Sequence, residues 1–572
     1  MEYSAIFHDM DKRFCYAIDK DLFVIRVQVK KDDMKEVILH YEDKYIPMER
    51  KDTRMTLPMK KVATSQFHDY YEAQLQMHLI CLRYFFEFTD MQGEKVYYGN
   101  YEFDKECITN RDRMFDCPQN LREEEMFEVP EWAANKVVYQ IFPSRFAATE
   151  PVDKELWYKA PITPMDDLHG NLRGIIEHMD DIQNLGIDVL YMTPIFQSDS
   201  CHKYDTTDYY QIDPSFGTTE DLKELVQKAH ERGMKVVLDA VYNHTGREFF
   251  AFADILENGE KSKYRDWYFI DGFPLKSEWG EIPNFKCFGY YGGMPKLNLK
   301  NPEVEKYITD VACYWIKECD IDGWRLDVGD EISHFFWKNF RKAIKAVKKD
   351  MLIIGEIWHY AGDFLEGDEW DTVMNYPFYL NLIDLLADEK ITVSQFIQNL
   401  GYLKGRLNKK CYPLMWNLID SHDTARFLHL CHDNKKKQHL AAAFQLLLPG
   451  MPMIYYGDEY AMPGANDPDC RRGMYWDEEY QDKEMYEWYK RLIQVRKSHA
   501  CIVEGELAGS VTEDEEGTVV LIKKNGEETI AMIFNCSSSA KKFNEYTQKY
   551  NLLTENTFDG NVEGFDAAVI VL

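Results

Sequence analysis

The chain is short of basic residues. Its 572 residues hold 67 Lys and Arg against 98 Asp and Glu, a formal net charge of −31 at pH 7. A field of that sign repels phosphate backbones and anionic lipid, which excludes nucleic acid and membrane surfaces as main partners. Long apolar runs are missing too. The longest, Ala441 to Tyr456, is interrupted by Gln445, Pro449 and Pro452 and is too short to cross a bilayer. Met1 to Arg13 is largely polar and lacks the apolar stretch of a secretory signal. The 13 cysteines are odd in number and form no C-x-x-C pair, so neither a metal cluster nor a disulfide framework has support. Reduced thiols point to a cytoplasmic protein. There is no G-x-G-x-x-G fingerprint for a dinucleotide, no long-period repeat and no low-complexity tract.

What remains is an ordinary globular composition, with 45% hydrophobic and 29% charged residues. The length corresponds to roughly three to four domains. Aromatics are plentiful at 14%, which serves an extensive core and also supplies flat platforms for sugar rings. Residues 1–124 are dominated by short alternating runs such as Leu22–Lys30, Glu36–Tyr41 and Tyr71–Phe88, which predict an antiparallel β-sandwich. An acidic run, Glu123–Glu128, then separates this module from a different pattern.

From residue 125 to 498, apolar strand-like runs alternate with helical ones. The predicted strands are Val137–Phe142, Asp188–Phe196, Lys235–Val241, Gly323–Val328, Met351–Ile357, Thr372–Pro377, Leu414–Ile419 and Met451–Tyr456. Helices are predicted at Thr218–Arg232, with a capping signature in Thr218 and Asp221, at Asn301–Cys319, at Glu331–Lys349 and at Lys483–Arg496. Eight doubly buried strands with helices between them define an α/β class, a (β/α)8 barrel, with a doubly wound sheet as the alternative. Residues 245–300 are too long for a plain loop and read as an inserted domain after the third strand. Residues 499–572 return to short strands and predict a C-terminal β-sandwich, with Val519–Lys524 and Glu528–Asn535 flanking an Asn525-Gly526 hairpin signal.

In a parallel barrel, functional groups project from the carboxyl ends of strands. Asp239 ends the third predicted strand and is followed by Asn243 and His244. Arg325 and Asp327 end the fourth, Glu356 the fifth, and His422 and Asp423 follow the seventh. Carboxylates, imidazoles and one guanidinium thus gather on one rim. Each alone has a structural explanation, as a helix cap or a satisfied core histidine; their joint placement points to a site. The set suits glycoside chemistry. Retaining hydrolysis needs a carboxylate nucleophile and a carboxylic acid about 5–5.5 Å apart. Arg325, two residues before Asp327, points to the same side of the strand and would keep Asp327 ionised. Glu356 would hold its proton where Trp358 or the substrate desolvates it, and Asp423 would stabilise a sugar with oxocarbenium character.

These segments, Asp239-Ala-Val-Tyr-Asn243-His244, Gly323-Trp-Arg325-Leu-Asp327, Gly355-Glu356-Ile-Trp358 and Asn417-Leu-Ile-Asp-Ser-His422-Asp423, resemble the signature regions of the α-amylase family, glycoside hydrolase family 13. The resemblance implies Asp327 as nucleophile, Glu356 as general acid/base and Asp423 as transition-state stabiliser. It implies that Arg325, His244 and His422 contact the sugar, with Asp239 bracing the group and Asn243 and Asn298 among the substrate-binding residues. Met294-Pro-Lys-Leu-Asn298 is similar to the motif of the neopullulanase, cyclomaltodextrinase and maltogenic amylase subgroup, and His202-Lys-Tyr204-Asp205 makes Tyr204 the expected stacking platform. Asp467-Pro-Asp-Cys-Arg471 matches a loop whose Asp467 and Arg471 bind the sugar on the non-reducing side. The amino-terminal sandwich looks like the starch-binding-type module of the subgroup.

Two departures stand out. Arg145–Glu150 lacks the calcium loop common after the first strand, so no cofactor is expected and calcium is not assigned. Val328-Gly329-Asp330-Glu331 replaces a commoner Ala-Asn-Glu pattern, which bears on the leaving-group subsite where Glu331 and Trp358 are expected. The resemblance implies a retaining hydrolase acting on α-1,4 bonds of cyclodextrins, maltooligosaccharides and pullulan, with transglycosylation. A trehalose- or sucrose-type isomerase on the same barrel and a non-catalytic carbohydrate-binding barrel are the alternatives. A homodimer through residues 1–124 is expected, because Tyr70-Tyr71 and Tyr84-Phe85-Phe86 exceed what one thin core needs.

Overall fold

The computed structural model describes the chain except for residues 48–53, 77–78, 120, 123–125, 277–279 and 281. Part of the acidic run Glu123–Glu128, two positions of the Tyr71–Phe88 segment and part of the insertion therefore lie outside the described residues. The rest forms two compact units: Met1–Val129 with Tyr360–Asp368 and Ser394–Tyr412, and Pro130–His359 with Glu369–Val393 and Pro413–Leu572.

The first unit is an antiparallel sandwich. One sheet orders Cys15–Ala17, Leu22–Lys30, His68–Gln76 and Lys60–Thr64; the other is built around Met34–Asp43 and Cys81–Asp90. Phe23, Ile25, Val27 and Val29 alternate into the core between the sheets. The opposite face of the same strand is also covered. There Arg26 pairs with Glu72 and donates to the carbonyls of Gly405 and Leu407, each at 2.9 Å. This second layer corrects the aromatic argument for a dimer. Tyr70, Tyr71, Tyr84, Phe85 and Phe86 are all at most 7% exposed. Tyr71, Tyr84 and Phe86 fill the inter-sheet core, and Phe85 packs with Ile108 and Met114 on the other side. None of them is left for a partner chain.

The second unit holds the barrel. Its strands are β1 (Val138–Ile141), β2 (Val189–Met192), β3 (Lys235–Ala240), β4 (Gly323–Leu326), β5 (Leu352–Gly355), β6 (Thr372–Val373), β7 (Trp416–Asn417) and β8 (Met451–Tyr455). They pair in parallel in the order β6-β5-β4-β3-β2-β1-β8-β7, and a parallel bridge between Met374 and Trp416 brings the ends together. All eight fall inside the predicted runs and are shorter. The run Thr372–Pro377 stops at Val373 because Asn375 caps a helix, Tyr376–Leu382, with Pro377 in its first turn. Helix Thr219–Glu231 carries the predicted Thr218–Asp221 capping box. The helix predicted from Glu331 begins at His334 because the Ser333 side chain accepts from Phe336 N–H.

Among its described residues the insertion has one α-helix, Phe250–Asn258, and gathers Phe252 with Tyr268 and Phe285 at ring-centroid distances of 5.0 and 5.1 Å. The carboxyl-terminal segment forms a six-stranded antiparallel sheet with a two-stranded one beside it. Its hairpin pairs Asn525 with Glu528, so the turn residues are Gly526 and Glu527, with Gly526 at φ +60°. Among the described residues, no helix is long and apolar enough to cross a membrane.

Gly401 and Gly405, one turn apart in helix Val393–Arg406, face the sandwich. A Cβ at Gly401 would lie 1.9 Å from the Thr64 carbonyl oxygen, and one at Gly405 2.3 Å from the Tyr70 ring. By helix propensity alone, Gly→Ala gains about 1 kcal/mol. Here Gly401→Ala is expected to lose about 1–3 kcal/mol, because a backbone carbonyl cannot step aside. Urea unfolding measures it, and a stabilised variant would refute the packing argument.

Candidate active site

The barrel's hydrogen-bond register sets the site. Asp239 on β3 lies directly beside Arg325 on β4. The parallel pairing runs one step past each strand: Asp327 N–H donates to the Ala240 carbonyl at 3.2 Å, and Glu356 N–H to the Leu326 carbonyl at 3.0 Å. Both carboxyls are therefore placed by backbone bonds rather than by a free loop. Immediately afterwards Val328 turns into the left-handed region at φ +46°. That conformation is strained for a β-branched residue. It aims the Val328 N–H at Glu356 Oε2, 2.9 Å away.

At the centre is the fully buried guanidinium of Arg325. Its Nη1 donates to Asp327 Oδ1 at 2.8 Å and to Asp239 Oδ1 and Oδ2 at 3.1 Å each. Its Nη2 lies 2.9 Å from Glu356 Oε2 and 3.9 Å from Asp423 Oδ2. Asp239 also accepts from the hydroxyls of Tyr191 at 2.6 Å and Tyr204 at 3.0 Å. Glu356 Oε1 accepts from Trp358 Nε1 at 3.2 Å. Asp423 is bracketed by His422 Nε2 at 3.1 Å and Arg471 Nη2 at 3.3 Å.

The electrostatics follow from one cation among several carboxyls in a dry pocket. Burial, opposed by Arg325, pushes Asp239 up to about 6. Asp327 is raised well above the carboxylate range by burial and by Glu356, Asp239 and Asp423, with Arg325 pulling the other way. Arg325 thus acts on Asp327 in the expected direction, toward the ionised form. The guanidinium meets a larger desolvation cost, and the cluster shares protons. Burial drives His244 down to about 3 and His422 well below its ordinary value, so both imidazoles are neutral at pH 7.

The remaining predicted residues divide by location. Trp358 is 42% exposed and stacks on Tyr376 with centroids 4.0 Å apart. Asn243 donates to Glu331 Oε2 at 3.1 Å and accepts from Lys296, which also reaches the Glu331 carbonyl at 3.2 Å. His244 bonds the Tyr204 carbonyl through Nε2 at 3.1 Å. Asp467 pairs with Arg471 at 2.9 Å. Asn298 goes elsewhere: its side chain donates to the Asp266 carbonyl at 2.9 Å and accepts from Lys300 N–H, bracing the insertion. Tyr191, Gln140, Lys296 and Tyr376 were not singled out from the sequence. Of these, Tyr191 and Gln140 carried a signal, as polar groups in apolar barrel strands. The altered segment after Asp327 has a packing cause. A Cβ on Gly329 would lie 2.8 Å from the Trp370 indole, and one on Gly355 would lie 2.2 Å from it. Among the described residues, no group of three or more His, Cys, Asp or Glu is arranged to hold a metal ion.

Carboxyls hung from one arginine at the ends of neighbouring barrel strands are the equipment of a glycoside hydrolase. Residues 140–505 match the α-amylase catalytic domain and residues 1–119 the α-amylase N-terminal Ig-like domain. The chain belongs to the α-amylase family, glycoside hydrolase family 13. It is 42% identical to a cyclomaltodextrinase of Geobacillus thermopakistaniensis over 94% of this chain and 92% of that one. It is 39% identical to neopullulanase 2 of Thermoactinomyces vulgaris over 93% and 90%. A solved cyclomaltodextrinase structure superposes with a TM-score of 0.94 at 36% identity, covering all of both chains.

The raised Asp327 has a stability consequence. Folding strengthens its hold on a proton, so its favourable contribution is complete below the ordinary carboxylate range and is lost as pH rises. Asp327→Asn should therefore raise Tm at pH 7 by a few degrees, with the gain shrinking toward pH 4. Calorimetry across that range checks it; a gain independent of pH would refute the assignment.

Proposed function

We propose that this enzyme is a retaining α-glucan hydrolase that cuts α-1,4-glucosidic bonds of cyclodextrins, maltooligosaccharides and pullulan, with transglycosylation as a side reaction. The observation that carries the reading is the Arg325 guanidinium joining Asp239, Asp327 and Glu356, with Asp423 at the edge of the same group. The names of the relatives, cyclomaltodextrinase and neopullulanase, support the substrate class.

Asp327 attacks the anomeric carbon while Glu356 gives its proton to the departing glycosidic oxygen, leaving a glycosyl ester on Asp327. Glu356 then takes a proton from water, or from a sugar hydroxyl, which attacks the same carbon and frees Asp327. Two inversions retain the α configuration. The Arg325 Nη1 bond to Asp327 favours the charged form that attacks. Asp423 and His422 face the hydroxyls of the sugar at the cleavage point, with Tyr204 beneath it, and Arg471 and Asp467 meet the next sugar on the non-reducing side. Trp358, stacked on Tyr376, and Glu331, tied to Lys296, bound the leaving-group side.

The new reducing end should appear first as the α-anomer, read by early-time proton NMR of a maltooligosaccharide or β-cyclodextrin digest. A first-formed β-anomer removes the double displacement. Glu356→Gln should lose roughly 100- to 10,000-fold on these glucans yet keep rapid glycosylation by α-glucosyl fluoride, whose leaving group needs little protonation. Equal losses on both would reassign Glu356.

Cytoplasmic location is supported by the 13 cysteines, all free thiols. Homodimerisation through residues 1–124 belongs to the same proposal, and it now rests on exposed Tyr45, Phe67 and Ile80 rather than on the buried aromatics. Light scattering should give twice the 67.6 kDa chain mass. A monomer at working concentration ends that part.

A further inference from the structure

Gln140 is a wholly buried amide in β1, an otherwise apolar strand, and nothing in the reaction described above uses it. Its Nε2 donates to His422 Nδ1 at 2.7 Å. Its Oε1 is buried without a hydrogen-bond partner, an expensive arrangement that packing alone does not call for. On the far side of the ring, His422 Nε2 lies 2.5 Å from the Tyr204 hydroxyl and 3.1 Å from Asp423 Oδ2.

Counting protons decides between two states of this chain of groups. A neutral imidazole carries one N–H. With that proton on Nε2, the Gln140 amide donates to Nδ1, Nε2–H donates toward Asp423 and the Tyr204 oxygen, and the Tyr204 hydroxyl donates to Asp239. Both ring nitrogens and the Tyr204 hydroxyl then have a partner of the right kind. With the proton on Nδ1 and the amide reversed, a bare Nε2 lone pair would face the Asp423 carboxylate. Tyr204 would also have to give its single proton to both Nε2 and Asp239.

We propose that Gln140 is a positioning residue that fixes His422 as the Nε2–H tautomer, so that a neutral imidazole presents a donor to Asp423 and to the sugar hydroxyl held there. The sugar contact rests on the roles assigned above to His422 and Asp423; the tautomer does not. An amide suits the position where a carboxylate would not. Arg325 and Arg471 already flank Asp423, and a carboxylate at residue 140 would draw a second proton onto the ring and add a third positive charge beside it. The other groups facing His422 are Tyr204, the Phe142 ring, Cys470 and Arg471 on its carbonyl, with His202 further out.

Two measurements test this. In wild-type enzyme labelled with 15N-histidine, the His422 signals, identified by their loss in His422→Asn, should report a protonated Nε2 and an unprotonated Nδ1, unchanged from about pH 5 to 8. A proton on Nδ1, or on both nitrogens, overturns the proposal whatever the enzyme hydrolyses. Gln140→Glu should keep the Nε2 proton but charge the ring. By comparison with the roughly 10- to 100-fold cost of losing the partner that orients a metal-bound imidazole, kcat/KM on β-cyclodextrin should fall by a similar factor. The substitution should also introduce a new titration into the pH–rate profile. Gln140→Leu, which leaves the buried Nδ1 lone pair without its donor, should give a similar loss. A Gln140→Glu enzyme with the wild-type rate and pH profile would overturn the positioning role even if the tautomer is as stated. Absence of wild-type activity on glucans would instead defeat the hydrolase reading and leave the NMR result standing.

Discussion

One guanidinium organises this molecule's chemistry. Arg325 is buried, projects from the middle of a run of parallel strands, and touches carboxyls on both sides and just beyond its own strand. Removing it would leave several carboxyls in a pocket that solvates none of them well. Their mutual repulsion would be relieved only by proton uptake or by movement of the strand ends. Parallel pairing answers half of this demand by delivering Asp327 and Glu356 at fixed register. The cation answers the other half by making their closeness tolerable.

The surrounding contacts extend that logic outward in layers. Tyr191 and Tyr204 give hydroxyl protons to Asp239, which frees the guanidinium to serve Asp327 and Glu356. Arg471, from the segment after β8, anchors the His422 carbonyl at 2.8 Å and reaches Asp423, so segments from two strands are locked by one side chain. Lys296 does the same between the insertion, Asn243 and Glu331. Each of these residues joins parts of the chain far apart in sequence, and each offsets the uncertainty of loop conformation with a charge-assisted bond.

Much of this was legible in the sequence because strands obey a strict geometry. Period-two alternation and strand-end placement located Asp239, Arg325, Asp327 and Glu356, and the i, i+2 rule put Arg325 beside Asp327. What was not legible depends on loops meeting loops. No periodicity tells that Lys296 reaches Asn243, or that Asn298 is spent on Asp266. The aromatics of the sandwich misled for a related reason. A sheet with one covered face leaves spare rings, but residues 394–412 cover the second face, and a local pattern cannot announce a cover that arrives over three hundred positions later. The raised pKa of Asp327 escaped a pairwise argument because desolvation is a property of the finished pocket.

The indole of Trp370 is wedged against Gly355 and Gly329, which flank the residues bearing Glu356 and Asp327. This makes the three positions one steric unit. Alanine at 329, the residue found in the commoner family pattern, collides with the indole. A smaller residue at 370 alone opens a cavity beside the reacting groups. Either first step is downhill, and only the pair restores packing. A change at either position alone therefore disturbs the packing beside Asp327 and Glu356. Exchange of this segment between relatives has to move both positions together.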